Sequence, residues 1–135
     1  MSNRRRPLDQ HYRTGYLRSP AWFRRRDLWF AQERRHGRAS RCALCRRAGT
    51  ARVLHLHHLD YRGVTRTPTG WNAGERHRDL IALHPACHEL LHRLIDRDRV
   101  LARHRSRRLA TWLALARLRA AIPRPAPVGA SDGSR

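Results

Sequence analysis

The chain has 135 residues, of which 30 are arginine, none is lysine and only 10 are acidic, giving a formal net charge of +20. That length excludes a doubly wound sheet pair or a full-sized barrel, and no run of about 18 apolar residues exists to span a membrane. So large a positive surplus self-repels unless an anion neutralises it, which makes nucleic acid the expected partner.

Residues 1–15 are polar and basic without periodicity and are expected to form a flexible arm. Pro7, Asp9, Gln10 and His11 follow the basic start where a secretory signal needs apolar residues, so a cytoplasmic location is expected. Three cysteines, an odd number, do not suggest a disulfide framework. Ser19-Pro20 predicts a helix start, with a hydroxyl cap and proline at the first helical position, and Gly37 predicts its stop. Trp22, Phe23, Trp29 and Phe30 fall on one stripe of that helix. Arg24, Arg25, Arg26, Arg34 and Arg35 form its polar side, either as a solvated face or as phosphate contacts.

After Cys42-Ala43-Leu44-Cys45, the alternation of Leu54, Leu56 and His58 with Val53, His55 and His57 predicts a strand. Residues 60–78, with Gly63, Pro68, Gly70 and Gly74, read as a long loop. Leu80–Leu83 reads as a second short strand. Pro85 opens a helix through about Ile95, and a last helix from about Asp98 to Ala121 is expected to bury Leu109, Trp112, Leu113 and Ala116. Residues 123–135, rich in Pro, Ala, Gly and Ser, are expected to be disordered. Two short strands and three helices make an α+β domain whose core is thin enough to need a structural metal.

Cysteine and histidine supply the ligands. Cys42-x2-Cys45 and His84-x2-Cys87 are two short pairs, about 40 residues apart, that can surround a tetrahedral Zn2+ in a closed, structural site. A redox dithiol would need a βαβ context that is missing here. His88 and His92 stand four apart on one helix face and can converge on one cation. His57 and His58, adjacent in a strand, point to opposite sides. One can ligate that metal while the other faces a substrate.

With Leu56-His57-His58-Leu59-Asp60-Tyr61 and the run from Asp79 through Leu80, His84, Cys87 and His88 to His92, the sequence resembles an HNH endonuclease of the ββα-metal type. Tyr16-Leu17-Arg18-Ser19-Pro20-Ala21-Trp22 is similar to the segment that precedes the first cysteine in many members. The resemblance implies a nuclease domain over residues 16–96, with a hairpin and helix clasping one divalent metal, and the basic C-terminal helix over 97–122 follows it. It implies that His57, His88 and His92 hold that metal, be it Mg2+, Mn2+, Ni2+ or Zn2+, and that His58 is the general base. It further implies that DNA is cut at the O3′–P bond, leaving 5′-phosphate and 3′-hydroxyl ends.

Two positions depart from the family pattern. Asp79 stands where the family has its central Asn, and can accept but not donate loop-bracing hydrogen bonds while ionised. His84 stands where members usually have Cys. The chemistry of the residues agrees with the implied reaction: a neutral imidazole accepts a proton near neutral pH, and a metal supports the developing charge. Arg62, Arg66, Arg76 and Arg78 are candidates to hold phosphates or are solvated loop charges. His55 reads as packing or as a group behind the ligands, and His11, His36, His77 and His104 as surface residues. The competing reading is a non-catalytic zinc-knuckle module that binds nucleic acid. Only His57, His58, His88 and His92 separate the two.

Overall fold

The computed structural model describes residues 14–103 and 106–123, so residues 1–13 with His11, then His104 and the tail beyond residue 123, lie outside the described residues; Thr14 and Gly15, the end of the expected flexible arm, are helical. Helix α1, Pro20–Arg35, starts where Ser19-Pro20 predicts: Ser19 Oγ accepts from the Trp22 amide at 3.2 Å. It ends before Gly37, whose φ of 65° suits glycine. Trp22, Trp29 and Phe30 are buried, but Phe23 is exposed, so the apolar stripe is narrower than the spacing suggests. Two of the basic residues on this helix are neither solvated nor turned outward. Arg26 donates to the Leu54 carbonyl at 2.9 Å, and Arg25 donates to the Glu75 carbonyl at 2.9 Å.

Two small antiparallel sheets follow. Strand β1, His55–His58, pairs with β4, Leu80–Leu83, in the register His55 opposite Leu83 and His58 opposite Leu80. Strands β2, Val64–Thr67, and β3, Gly70–Ala73, pair around Pro68-Thr69 inside the stretch that reads as a loop in the sequence. Gly and Pro punctuate both ends of these four-residue strands, which hides them from any pattern of alternation. Their glycines close the hairpin base. The Gly74 amide donates to the Gly63 carbonyl at 2.8 Å, and a Cβ on Gly63 would lie 2.4 Å from the Gly74 carbonyl carbon. A short 3-10 turn, His77–Asp79, then leads into β4.

Helix α2, Pro85–Arg97, packs on β1 and on the two helices that follow it. The long last helix expected from Asp98 is divided into α3, Arg99–Arg103, and α4, Arg107–Ala121. Each half has its own cap: Asp98 Oδ1 accepts from the amides of Val100 and Leu101, and Ser106 Oγ accepts from the Leu109 amide. Such side-chain acceptors favour a fresh start over continuation.

The buried face of α4 also differs from the expected one. Ala110, Thr111, Ala114 and Leu115 are buried, while Leu109, Trp112 and Leu113 are 47%, 40% and 38% exposed. Small side chains let the helix approach α2 and the β1 strand, a preference that hydrophobicity alone does not reveal. Ala114 and Leu115 join Tyr16, Trp22, Phe30, Leu54, Leu83 and Leu91 in one core. No helix among the described residues is long and apolar enough to cross a membrane.

Candidate metal centres

The first ligand group is local in origin. Cys42 and Cys45 sit on a tight turn closed by the Cys42 amide on the Arg47 carbonyl and by the pairing of Arg41 with Ala48. Arg46 takes a φ of 65°, the left-handed conformation that reverses the chain there. His84 ends β4 and caps α2, and Cys87 lies in the first turn of that helix. The sulfurs of Cys42, Cys45 and Cys87 and a ring nitrogen of His84 all lie within 4.8 Å of one another, a Cys3His group able to bind a metal ion such as zinc. Cys45 Sγ is 3.3 Å from His84 Nδ1.

The thiols have unlike acidities. Burial raises the pKa of Cys42, but hydrogen bonds from the backbone of Cys45, His84 and Leu44 outweigh it and bring the thiol to about 7. Burial, followed by the neighbouring Cys42 and Cys45, pushes Cys87 up to about 12. Three sulfurs this close repel as thiolates, and a cation among them relieves the repulsion.

The second group joins strand to helix. His57 Nδ1 lies 3.2 Å from His88 Nε2, and His92 Nε2 lies 2.9 Å from the same atom. All three ligand atoms fall within 4.8 Å. Metal–nitrogen bonds of about 2.0–2.1 Å at tetrahedral angles set neighbouring nitrogens about 3.3 Å apart, so the spacing fits a shared ion. Two of the three rings are turned inward by a partner on the far side: His57 Nε2 meets Thr111 Oγ1 at 3.0 Å, and His88 Nδ1 meets His55 Nδ1 at 3.2 Å. His55 therefore belongs behind the ligands rather than to packing. Burial, then the charges of Arg107 and His92, holds His57 well below the usual imidazole range. Burial, then His92, brings His88 down to about 3. Both rings are neutral near pH 7, the form that ligates metal. His57 is buried, whereas His88 and His92 are partly open to solvent.

His58 points the other way from His57, as strand alternation requires. Its ring is 2% exposed, stacked on Tyr61 at 4.1 Å between centroids and 10° between planes, and lies 4.7 Å from Trp22. Nε2–H donates to Glu75 Oε2 at 2.8 Å, and the Tyr16 hydroxyl donates to both Glu75 oxygens at 2.8 and 2.7 Å. Burial disfavours the charged carboxyl, yet the bonds from His58 and Tyr16 hold Glu75 below its ordinary range.

The Asp79 side chain acts as an acceptor only. Its oxygens receive the Arg76 amide at 2.9 Å, Arg76 Nε at 3.1 Å and Arg108 Nη2 at 2.6 Å, while its own carbonyl receives the Leu59 amide at 2.7 Å. This ties the end of β1 to the turn before β4. Of the arginines expected to hold phosphates, Arg76 is engaged with Asp79, and Arg62 is 3.5 Å from Asp60. Arg66 lies over Trp71 at 5.5 Å, and Arg78 is exposed with its carbonyl accepting from Arg108. His77, expected at the surface, is instead stacked on Trp29 at 5.0 Å and bonded to Glu33 at 2.5 Å.

Sequence reasoning passed over Glu75, Tyr16, Thr111, Arg107 and Arg108. Only Glu75 carried a usable signal, as an acidic residue inside an arginine-rich, glycine-bounded segment of a chain with 10 acids in all. Compared with known proteins, the chain matches no family model, no curated protein and no solved structure.

Proposed function

We propose that the chain is a metal-dependent endonuclease of the HNH type, hydrolysing DNA phosphodiester bonds, with β1, β4 and α2 as its ββα-metal core. The observation that carries this reading is the second ligand group, His57, His88 and His92, distinct from the Cys3His group and partly open. A binding module is stabilised by one closed Zn2+ at Cys42, Cys45, His84 and Cys87 and has no use for an open three-imidazole site. The donor set suits a transition ion such as Zn2+, Ni2+ or Mn2+, and accepts Mg2+ where water and phosphate complete its oxygen shell. When bound, the ion supplies positive charge for the phosphate oxygen and the departing O3′.

The remaining work falls to the chain's own groups. Glu75, braced by Tyr16, keeps the His58 proton on Nε2, so Nδ1 is the atom that accepts a proton from the attacking water. The water oxygen bonds to phosphorus as the P–O3′ bond breaks, and the departing O3′ takes a proton from solvent, leaving 5′-phosphate and 3′-hydroxyl ends. Asp79 serves this site by bracing, not by touching the reacting atoms.

One observation favours the binding module instead. His58 is enclosed beneath Tyr61 and Arg107, and a base must be reached by water. Supercoiled plasmid incubated with zinc-loaded protein and Mg2+, Mn2+, Ni2+ or Zn2+ decides between them. The wild-type chain is expected to cut with at least one ion, and His58→Ala to keep its zinc and fold while cutting ~10²–10⁴-fold more slowly. Equal rates would remove His58 as the base. Plasmid that is bound but left intact under every ion would support the module.

A further inference from the structure

A cleft of about 560 Å³ opens where β1 ends, walled by Leu59, Asp60, Tyr61 and Arg62 on one side and by Arg76, Ser106, Arg107 and Arg108 on the other. Four guanidiniums are set there against two carboxylates, Asp60 in the wall and Asp79 behind it, so the cleft is net positive. We propose that it binds a phosphodiester of the DNA backbone, an assignment that rests on the endonuclease reading for the identity of the polymer and deepens it by naming where the strand is held.

Three features of the cleft support an anion of that kind. Three of its arginines are fixed before any ligand arrives, and Arg62 extends into solvent beside them. Arg107 donates through Nε to the His58 carbonyl at 2.6 Å and lies over the Tyr61 ring at 5.1 Å. Arg108 reaches the Arg78 carbonyl and Asp79, and Arg76 reaches Asp79 from the other side. Guanidiniums held this way lose little freedom on binding, and each carries more N–H donors than those contacts use, so further donors remain for phosphate oxygens. Asp79 neutralises only one of the two arginines that share it.

The second feature is the start of α4. Ser106 caps this 15-residue helix and lies in the cleft wall, so the positive end of the helix adds to the side-chain charge. The third is position. Tyr61 forms part of the cleft and stacks on His58, while Thr111, one turn along α4 from Arg107, holds the ligand His57. A phosphodiester in the cleft is thereby brought beside the groups assigned to the chemistry. The C-terminal helix, to whose arginines the sequence assigns no role, supplies half of the cleft's guanidiniums.

Arg62 gives the cleanest test, because its side chain is 93% exposed and its one ion pair, with Asp60, is long at 3.5 Å. Binding of a short, fluorescently labelled DNA duplex to the zinc-loaded full chain is measured by anisotropy from low to moderate salt, with no further divalent ion added. Arg62→Ala is expected to weaken binding ~3–10-fold at moderate salt and to reduce the slope of log affinity against log salt by ~0.9. Arg62→Lys, which keeps the charge, retains the slope. Arg34→Ala, which removes one charge from the exposed side of α1 outside the cleft, also retains it.

Equal slopes for Arg62→Ala and wild type would overturn the proposal, as would an equal loss in Arg34→Ala or a wild-type chain that binds no duplex. Because binding is read without cleavage, a cleft that fails this test leaves the plasmid result standing. A chain that binds through Arg62 but never cuts keeps the cleft and loses the nuclease.

Discussion

At the scale of single residues, the second ligand group depends on which nitrogen of each imidazole turns inward, and that is decided by groups that touch no metal. Thr111 Oγ1 occupies His57 Nε2, and His55 occupies His88 Nδ1, so His57 presents Nδ1 and His88 presents Nε2 to the common point. Partners of this kind fix ring orientation and typically govern affinity by 10–100-fold. Thr111→Val keeps the shape of the buried side chain and removes its hydroxyl. It is expected to lower metal affinity at the imidazole group ~10–100-fold while leaving the Cys3His group untouched, as read by competition with a chromophoric chelator. The residues of both candidate groups were legible in the sequence where their spacings are local, three apart for Cys42 with Cys45 and for His84 with Cys87, and four for His88 with His92. Thr111 lies 54 residues from His57, and Tyr16 lies 59 from Glu75, so no local pattern announces either.

At the scale of elements, the stretch between β1 and β4 matters more than its composition suggests. The small hairpin β2–β3 returns the chain at Gly63 and Gly74 and delivers Glu75 immediately afterwards to His58. The paired strands β1 and β4 and helix α2 could be read from periodicity and caps. The hairpin could not, since glycine and proline spacing looks the same in a loop. The phase of α4 was also illegible: close approach selects Ala110, Thr111 and Ala114, whereas hydrophobicity points to Leu109, Trp112 and Leu113.

The turn before β4 gives a pH prediction. Burial raises the Asp79 pKa, but the bonds from Arg76 and Arg108 outweigh it and hold the carboxyl below its ordinary range. A carboxyl whose folded pKa is depressed contributes stability above its unfolded value, near about 4, and loses it as pH falls through the lower folded value. Thermal melting of the wild type is therefore expected to weaken on acidification below about pH 4, and Asp79→Asn to melt lower near neutrality with a flatter acid limb. Parallel pH profiles for the two proteins would show that Asp79 does not brace the turn.

At the scale of the whole molecule, a chain with a net charge of +20 is held by a small core, and charge repulsion works against it. The two ligand groups share α2, where Cys87 and His88 are adjacent, so metal can hold that helix twice: to the cysteine turn through a Cys3His group of Cys42, Cys45, His84 and Cys87, and to β1 through the open group of His57, His88 and His92. The central claim is that the second of these is a separate site and the seat of cleavage. Titrating metal-free, reduced protein with Co2+ while sampling plasmid cleavage tests it most directly, since cobalt bound by thiolates has a charge-transfer absorption that cobalt bound by imidazoles lacks. The expected result is a first equivalent that brings the thiolate absorption without cleavage, a second without that absorption that brings cleavage, and loss of only the second in His88→Ala. Saturation at one equivalent, or cleavage that follows the thiolate absorption and survives in His88→Ala, would contradict it.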